Sequence, residues 1–390
     1  MKIGAYEYPF VTKIVSLFYY LYFMMQKQRV LVGMSGGVDS SAVCMLLQEQ
    51  GYEVLGLTLR MWDQPRHFTR SSTEPDYIIE ARELAASLGI EHHTLDLRQP
   101  FRNEVVQYFI DEYMRGRTPN PCVMCNRFFK WRYLLEEADR LGCEMVATGH
   151  YARIVPIDGI PVLACGVDTR KDQSYFLWRL TPEQLSRTLF PLGTWLKTDL
   201  KEYVRAKGYI AKAAKKESME ACFVPDDYRD FLREMLPNID ERVAGGNFVD
   251  AQGRKLGLHK GYPFYTIGQR KGLEIALGHP AYVVRINAQK NTIRLGTPDE
   301  LLAAQALLSG VRIDERFVQS SQLSVRIRYR SAAIPAIVRL VDDDHAVVTF
   351  ATPASALAPG QSAVIYENDM VVGGGIIEDP RLLHKYVSAE

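Results

Sequence analysis

The chain has 390 residues, 47% of them hydrophobic and 24% charged, with a net charge of +1. That length suits two or three domains with ample core material. The charge balance excludes a strongly basic protein but leaves room for a local basic face toward nucleic acid. Six cysteines, at positions 44, 122, 125, 143, 165 and 222, are too few for a secreted disulfide framework and point to a reducing cytoplasm.

In chain order, the first segment is unusual. Val11 to Met25 is rich in Phe, Tyr, Leu and Ile, too short to span a bilayer and without the small-residue cleavage site of a signal peptide. The expectation is an extension from an upstream start codon, with Met25 the natural beginning, residues 1–25 outside the fold and no membrane involved. From residue 26 to 225, strand-like runs at Arg29–Gly33, Glu53–Leu59, Glu91–Leu97 and Glu144–Thr148 alternate with helical periods at Ser41–Gln50, Tyr77–Leu88, Phe101–Arg115 and Asn126–Leu141. That alternation predicts a parallel sheet wrapped by helices, with its ligand at the carboxyl ends of the strands. Tyr151–Val167 reads as a hairpin turning at Asp158-Gly159, and Thr181-Pro-Glu-Gln184 as a capped helix start.

After Pro225 the texture changes. One helix, Asp226–Met235, and short Gly-rich strands predict a small central α+β domain over 226–300. Strands at Ser324–Tyr329, Ala336–Val341, Ala346–Phe350, Ser362–Tyr366 and Val371–Ile377, with turn signals between them, predict a C-terminal β-barrel over 301–390.

Two stretches carry chemistry. In Val30-Leu-Val-Gly-Met-Ser-Gly-Gly-Val-Asp-Ser-Ser41 a short strand runs into a glycine bend and then a helix. Glycines there let backbone N–H groups close around phosphate oxygens at a helix N-terminus. No Lys follows them, so this is not the loop that grips β- and γ-phosphates. It resembles the pyrophosphatase loop of enzymes that split ATP between its α- and β-phosphates.

The second stretch is Thr118-Pro-Asn-Pro-Cys122-Val-Met-Cys125-Asn126. With a helix expected from Asn126, the macrodipole favours the Cys125 thiolate, and Lys215-Lys216 favour that of Cys222. Two activated thiols brought together can carry a sulfur as persulfide and discharge it by disulfide formation. Cys44, Cys143 and Cys165 read as small buried hydrophobes. A zinc site lacks a second CxxC or an HxxxH partner, whereas Cys122, Cys125 and Cys222 together leave an iron–sulfur cluster open as an alternative.

Gly33-Met-Ser-Gly-Gly-Val-Asp-Ser40, Pro119-Asn-Pro…Cys125-Asn126, Ala147-Thr-Gly-His-Tyr151, Lys171-Asp-Gln-Ser174, Cys222-Phe223, Tyr265-Thr-Ile-Gly-Gln-Arg-Lys-Gly272 and Arg328-Tyr-Arg330 together resemble the tRNA-specific 2-thiouridylase family in order and spacing, from about Gln28 to the C-terminus. The resemblance implies an α/β ATP-pyrophosphatase domain, a small central domain and a C-terminal barrel. It implies sulfur transfer to C2 of the wobble uridine of tRNAs for Lys, Glu and Gln, after ATP adenylates the C2 oxygen. Cys222 matches the persulfide carrier and Cys125 the thiol that attacks it. Gly33, Met34, Ser35, Gly36, Gly37, Val38, Asp39, Ser40, Leu59 and Gly149 match nucleotide-binding positions, with Asp39 the expected Mg²⁺ contact. Asn120, Pro121, Cys122, His150, Lys171, Asp172, Gln173, Arg328, Tyr329 and Gln361 match tRNA contacts. A persulfide-donating relay protein or a cysteine desulfurase is the implied partner.

One position departs from the pattern: the family commonly has Asp where this chain has Cys122, and a thiol of ordinary pKa about 8.5 does not replace a carboxylate general acid/base. Three other readings stay open. One is an adenylating ligase using the same loop, which the lack of an N-terminal Cys nucleophile opposes. Another is a cluster-dependent tRNA thiolase. The last is a tRNA-binding module whose ATP loop does not turn over, which intact Ser35, Gly36, Gly37 and Asp39 oppose. Taken alone, Lys171-Asp-Gln is an ordinary solvated turn, and Arg326-Ile-Arg-Tyr-Arg330 alternates charge along one exposed strand face.

Overall fold

The computed structural model describes residues 27–69, 73–209 and 221–387. The expectation for residues 1–25, and Lys215-Lys216, lie outside them. Among the described residues no helix is long and apolar enough to cross a membrane.

The first region is a five-stranded parallel sheet in the order β3-β2-β1-β4-β7, with helices on its faces. In chain order it runs β1 (Arg29–Gly33), α1 (Val38–Glu49), β2 (Glu53–Arg60), α2 (Asp76–Ser87) and β3 (Glu91–Asp96). Val30, Leu31 and Val32 are all fully buried, as a central strand covered on both faces requires. Two long helices follow, α3 over residues 98–114 and α4 over residues 121–140. Each contains a π turn, Arg102–Val106 in α3 and Cys125–Lys130 in α4; the two turns are in contact, and Phe101, just before the first, packs on Phe129, 5.4 Å away. Such turns are frequent at functional sites. After β4 (Met145–Ala147) come the hairpin β5 (Ala152–Ile157) and β6 (Ile160–Cys165), α5 (Pro182–Ser186), β7 (Thr188–Leu189) and α6 (Lys197–Ala206).

The hairpin turns where expected, at Asp158 (φ 51°) and Gly159 (φ 77°), but it serves a different sheet. Its second strand pairs with a strand of the C-terminal barrel, Leu163 opposite Val371 and Ala164 opposite Met370. A piece of the first region is therefore stitched into the last.

The central region has α7 (Tyr228–Met235), α8 (Ile239–Arg242) and a four-stranded sheet of β8 (Asn247–Val249), β9 (Lys255–Leu258), β10 (Tyr282–Asn287) and β11 (Thr292–Gly296). One apolar core runs from Phe101, Phe109 and Phe129 through Phe223 to Phe231, Phe248 and Val283, so this region is packed against α3 and α4. The barrel strands are β12 (Leu302–Ile313), β13 (Leu323–Arg326), β14 (Ile334–Leu340), β15 (Ala346–Ser355), β16 (Ser362–Glu367) and β17 (Met370–Ile377). They follow the order β12-β15-β14-β13-β16-β17, and pairing of β12 with β17 closes the barrel and removes its open edges. The long strand β12 was not among the expected strands.

Candidate active site

The nucleotide loop leaves β1 at Gly33 and is fixed at once. Met34 N–H donates to the Leu57 carbonyl (2.8 Å) and the Thr58 hydroxyl to the Met34 carbonyl (3.0 Å), tying the loop to β2. Gly36 has φ +70°, and a Cβ there would sit 2.6 Å from the Tyr77 carbonyl oxygen. Only glycine fits. Ser35 N–H reaches Ser40 Oγ (3.2 Å), and the Ser41 hydroxyl donates to the Gly37 carbonyl (2.8 Å). Gly37 is the N-cap of α1 and offers no side-chain cap, so the first-turn N–H groups of Val38, Asp39 and Ser40 remain for an anion. Leu59 lies on β2 just beyond the residues that tether the loop.

Asp39 is held in place from behind. Its carboxylate accepts from Lys197 Nζ (2.6 and 2.8 Å) and from the Tyr151 hydroxyl (3.0 Å). Lys197 is 6% exposed, a buried cation with this carboxylate beside it. Gly149 closes over the same residue: a Cβ there would come within 2.9 Å of Asp39 Cβ. One carboxylate at a helix N-terminus fits a single protein contact to a hard divalent cation.

The sulfur site sits on α4. Its helix starts at Pro121, five residues earlier than expected, so Cys122 and not Cys125 lies in the first turn. The preceding Pro-Asn-Pro loop is held by the barrel. Gln361 Nε2 donates to the carbonyls of Thr118 (3.1 Å) and Pro119 (2.9 Å), and Thr118 N–H donates to the Pro359 carbonyl (2.7 Å). Arg117 bridges Glu112 (2.7 Å) and Glu378 (2.6 Å). Asn120 is buried and bonds Tyr175, whose hydroxyl donates to the Ser362 carbonyl (2.8 Å).

Cys222 lies near α4 in the segment just before α7, and its next residue, Phe223, is wedged against Phe109 (5.1 Å), Phe231 (5.3 Å) and Phe101 (5.7 Å). Gln64 Nε2 donates to the Cys222 carbonyl (3.2 Å). The three thiols share one electrostatic neighbourhood: Cys122 and Cys222 each raise the pKa of Cys125, and Cys122 raises that of Cys222.

The direction of these shifts corrects the sequence expectation of favoured thiolates. Burial pushes Cys125 up to about 12, against the opposing pull of Lys130. At Cys222 burial is again the main cause, with Cys122 adding to it against Lys130, and the thiol is pushed up to about 11. Burial raises the Cys122 thiol too. Around neutrality all three are protonated.

Lys130, which sequence reasoning missed, lowers the pKa of all three thiols and of His150, and so faces the whole group. Burial and Lys130 together hold His150 well below its ordinary value, and it is neutral. Its ring packs on Trp131 (5.6 Å) and its Nδ1 lies 2.7 Å from Thr148 Oγ1.

Other expected RNA contacts divide into two groups. Asp172 is 3% exposed, and its carboxylate accepts from Gly166 N–H (3.0 Å), the Ser174 hydroxyl (2.9 Å) and Arg326 (3.3 Å). Gln173 Oε1 accepts from Tyr151 N–H (3.0 Å), and Arg328 Nη2 donates to the carbonyls of Ala356 (2.7 Å) and Ile267 (3.2 Å). The polar groups of these residues, like that of Gln361, are engaged inside the protein. Lys171, Cys122 and His150 are partly open, and so is Tyr329, whose ring lies 4.5 Å from Phe176. The expected exposed strand face over 326–330 does not form, because β13 ends at Arg326. Cys44 and Cys143 are buried as expected, and Cys165 is half-buried, 3.5 Å from Ser174 Oγ. Among the described residues no three His, Cys, Asp or Glu side chains are arranged to hold a metal ion.

The loop and the thiols are linked through two short paths. Gly149 touches Asp39 while the next residue, His150, shares Lys130 with the three cysteines. Tyr77 touches Gly36 and lies close enough to Cys222 for a thiolate there to raise its pKa.

Three family models match the chain in sequence: the tRNA methyl transferase HUP domain over residues 28–226, the tRNA methyl transferase PRC-barrel domain over 229–297 and the aminomethyltransferase beta-barrel domain over 309–377. Among similar proteins, the tRNA-specific 2-thiouridylase MnmA 3 of Phocaeicola vulgatus is 56% identical over 361 residues, covering 92% of this chain and 96% of that protein. The protein of the same name from Bacteroides fragilis is 54% identical over 359 residues, covering 91% and 95%. The tRNA-specific 2-thiouridylase MnmA of Amoebophilus asiaticus is 47% identical over 365 residues, covering 91% and 96%.

Proposed function

The chain belongs to the family of tRNA-specific 2-thiouridylases, and from that premise we propose how its own residues replace the C2 oxygen of the wobble uridine of tRNA by sulfur. The observation that carries the reading is the nearness of the phosphate loop to Cys122, Cys125 and Cys222, linked through Gly149-His150 and Tyr77. The family models are described by methyl transfer and the relatives by thiolation; paired cysteines beside an ATP loop support thiolation.

ATP supplies an adenylyl group that turns the C2 oxygen into a leaving group, and Mg²⁺ held at Asp39 would neutralise phosphate charge. The first-turn N–H groups of α1 bind phosphate oxygens, and Lys197 and Tyr151 fix the Asp39 carboxylate beside that helix end. The uridine leaves the anticodon stack to reach the thiols, at a cost of a few kcal/mol. Cys222 carries the incoming sulfur as a persulfide. Its terminal sulfur bonds to C2 and AMP departs with the former C2 oxygen. Cys125 then attacks the Cys222 sulfur, so the bond between the two persulfide sulfurs breaks, a Cys125–Cys222 disulfide forms, and the delivered sulfur stays on the base as the thiocarbonyl.

Thiols held protonated keep this chemistry silent until substrate arrives, and Lys130 is the cation placed to stabilise a thiolate once formed. A protonated Cys122 gives the site a proton donor where the family pattern has a carboxylate. A persulfide-bearing relay protein or desulfurase supplies the sulfur, and tRNAs for Lys, Glu and Gln are the substrates. Incubation with ATP, Mg²⁺, tRNA and a persulfide donor tests the reading. Equal amounts of AMP, pyrophosphate and 2-thiouridine are expected. tRNA binding with no pyrophosphate release under any donor would instead make the protein a binding module.

A further inference from the structure

We infer that Phe128, with Arg127, Arg179 and Arg312 around it, forms a platform on which an unpaired nucleotide of the RNA substrate stacks while its phosphate meets the guanidinium groups. The inference rests on the reading of RNA as substrate and adds a binding site outside the residues carried over from the family.

Phe128 is 44% exposed, on the same π turn of α4 that begins at Cys125. A large apolar ring that open to water on a catalytic helix calls for a reason. Arginines flank it: the guanidinium carbons of Arg127 and Arg179 lie 5.1 and 5.4 Å from its ring centroid. Arg179 is anchored by a bond to Met124 Sδ (3.1 Å), by the Gly310 carbonyl (3.3 Å) and against the Trp178 ring (5.2 Å). Arg312, on β12, donates to the Arg179 carbonyl (3.3 Å).

Among the described residues none of these three arginines forms an ion pair, whereas Arg117, Arg132, Arg153 and Arg326 nearby in the chain each do. The acids acting on the group are Glu183 and Asp344, with Asp314 beyond, and they stand outside ion-pair range. Arg127 lowers the pKa of both Arg179 and Arg312, so the three cations crowd one another with no acid in ion-pair contact. Such a cluster attracts an anion.

The chemistry that meets both features is single-stranded nucleic acid. A base has a flat face for an aromatic ring and for arginine planes, and its phosphate is the missing anion. Position agrees: Met124, which Arg179 holds, lies between Cys122 and Cys125, so a nucleotide on Phe128 would neighbour the one delivered to the thiols.

The test measures tRNA binding by the intact protein between about 50 and 200 mM salt. Phe128→Ala is expected to weaken binding about tenfold with little change in salt slope, and Phe128→Trp to restore it. Arg127→Gln should lower the salt slope by about one. Binding by Phe128→Ala within twofold of the parent would overturn the inference, including the case where only sulfur delivery from a donor protein suffers, which would assign the patch to that protein. If the parent itself fails to bind tRNA, the functional reading falls, and this inference with it.

Discussion

The phosphate loop and the cysteine site are neighbours but are built in opposite ways. The loop's supports come from the first region alone: Leu57, Thr58, Tyr77, Gly149, Tyr151 and Lys197 fix Gly33 to Ser41 by short, specific contacts. The cysteine site is assembled from three regions. Barrel residues Pro359, Gln361 and Glu378 hold the Pro-Asn-Pro loop, the shared aromatic core seats Phe223, and Gln64 pins the Cys222 backbone. The difference teaches that the nucleotide half is set before substrate binds, whereas the sulfur half is present but chemically quiet, its thiols held neutral.

That contrast can be broken in four places. The largest effect is on thiol reactivity. A raised pKa means less thiolate at a given pH, so alkylation of Cys125 by iodoacetamide at pH 7.5 should run at least about a hundredfold below that of an ordinary thiol. The rate should keep climbing toward about pH 12 for Cys125 and about pH 11 for Cys222. A plateau by pH 9, followed by peptide mass spectrometry, would contradict the quiet-thiol account.

Asp172→Asn should come next. It leaves Arg326, 3.3 Å away, without its carboxylate and weakens the stitch between the hairpin and the barrel. A stability loss of about 2 kcal/mol in urea unfolding is expected, with thiolation falling more than ATP binding. Unchanged stability would show that the barrel is not held through this bracket.

Lys197→Met should act on the other half. Asp39 then loses both bonds from Lys197 and keeps the Tyr151 hydroxyl, 3.0 Å away, and the KM for ATP in pyrophosphate release should rise about tenfold. An unaltered KM would mean that Asp39 needs no support from behind. The smallest effect belongs to Gln361→Ala, which frees two loop carbonyls and should cost about 1 kcal/mol. It should be read as a few-fold loss of thiolation at unchanged KM for ATP; an equal rise in that KM would merge the two halves.

Legibility in the sequence followed the same divide. The glycine loop and the CxxC were readable because their parts are consecutive residues, and the parallel sheet because its strands and helices alternate. Lys130, Tyr77 and Lys197 were not, because a single ordinary residue acquires its role only through neighbours distant in sequence. The hairpin announced itself through Asp158-Gly159, but its partner strand β17 did not. Strand β12 was hidden by its composition: Leu-Ala-Ala-Gln-Ala-Leu-Leu, at its start, is rich in good helix formers, and barrel closure overrides that preference. The thiol shifts were read with the wrong sign because lysines near a cysteine are visible in a sequence and burial is not.

The most direct test of the central claim is nucleoside mass spectrometry of tRNA incubated with ATP, a persulfide donor and Cys222→Ser. The account predicts no 2-thiouridine with tRNA affinity unchanged from the parent. Undiminished 2-thiouridine from that variant would contradict it.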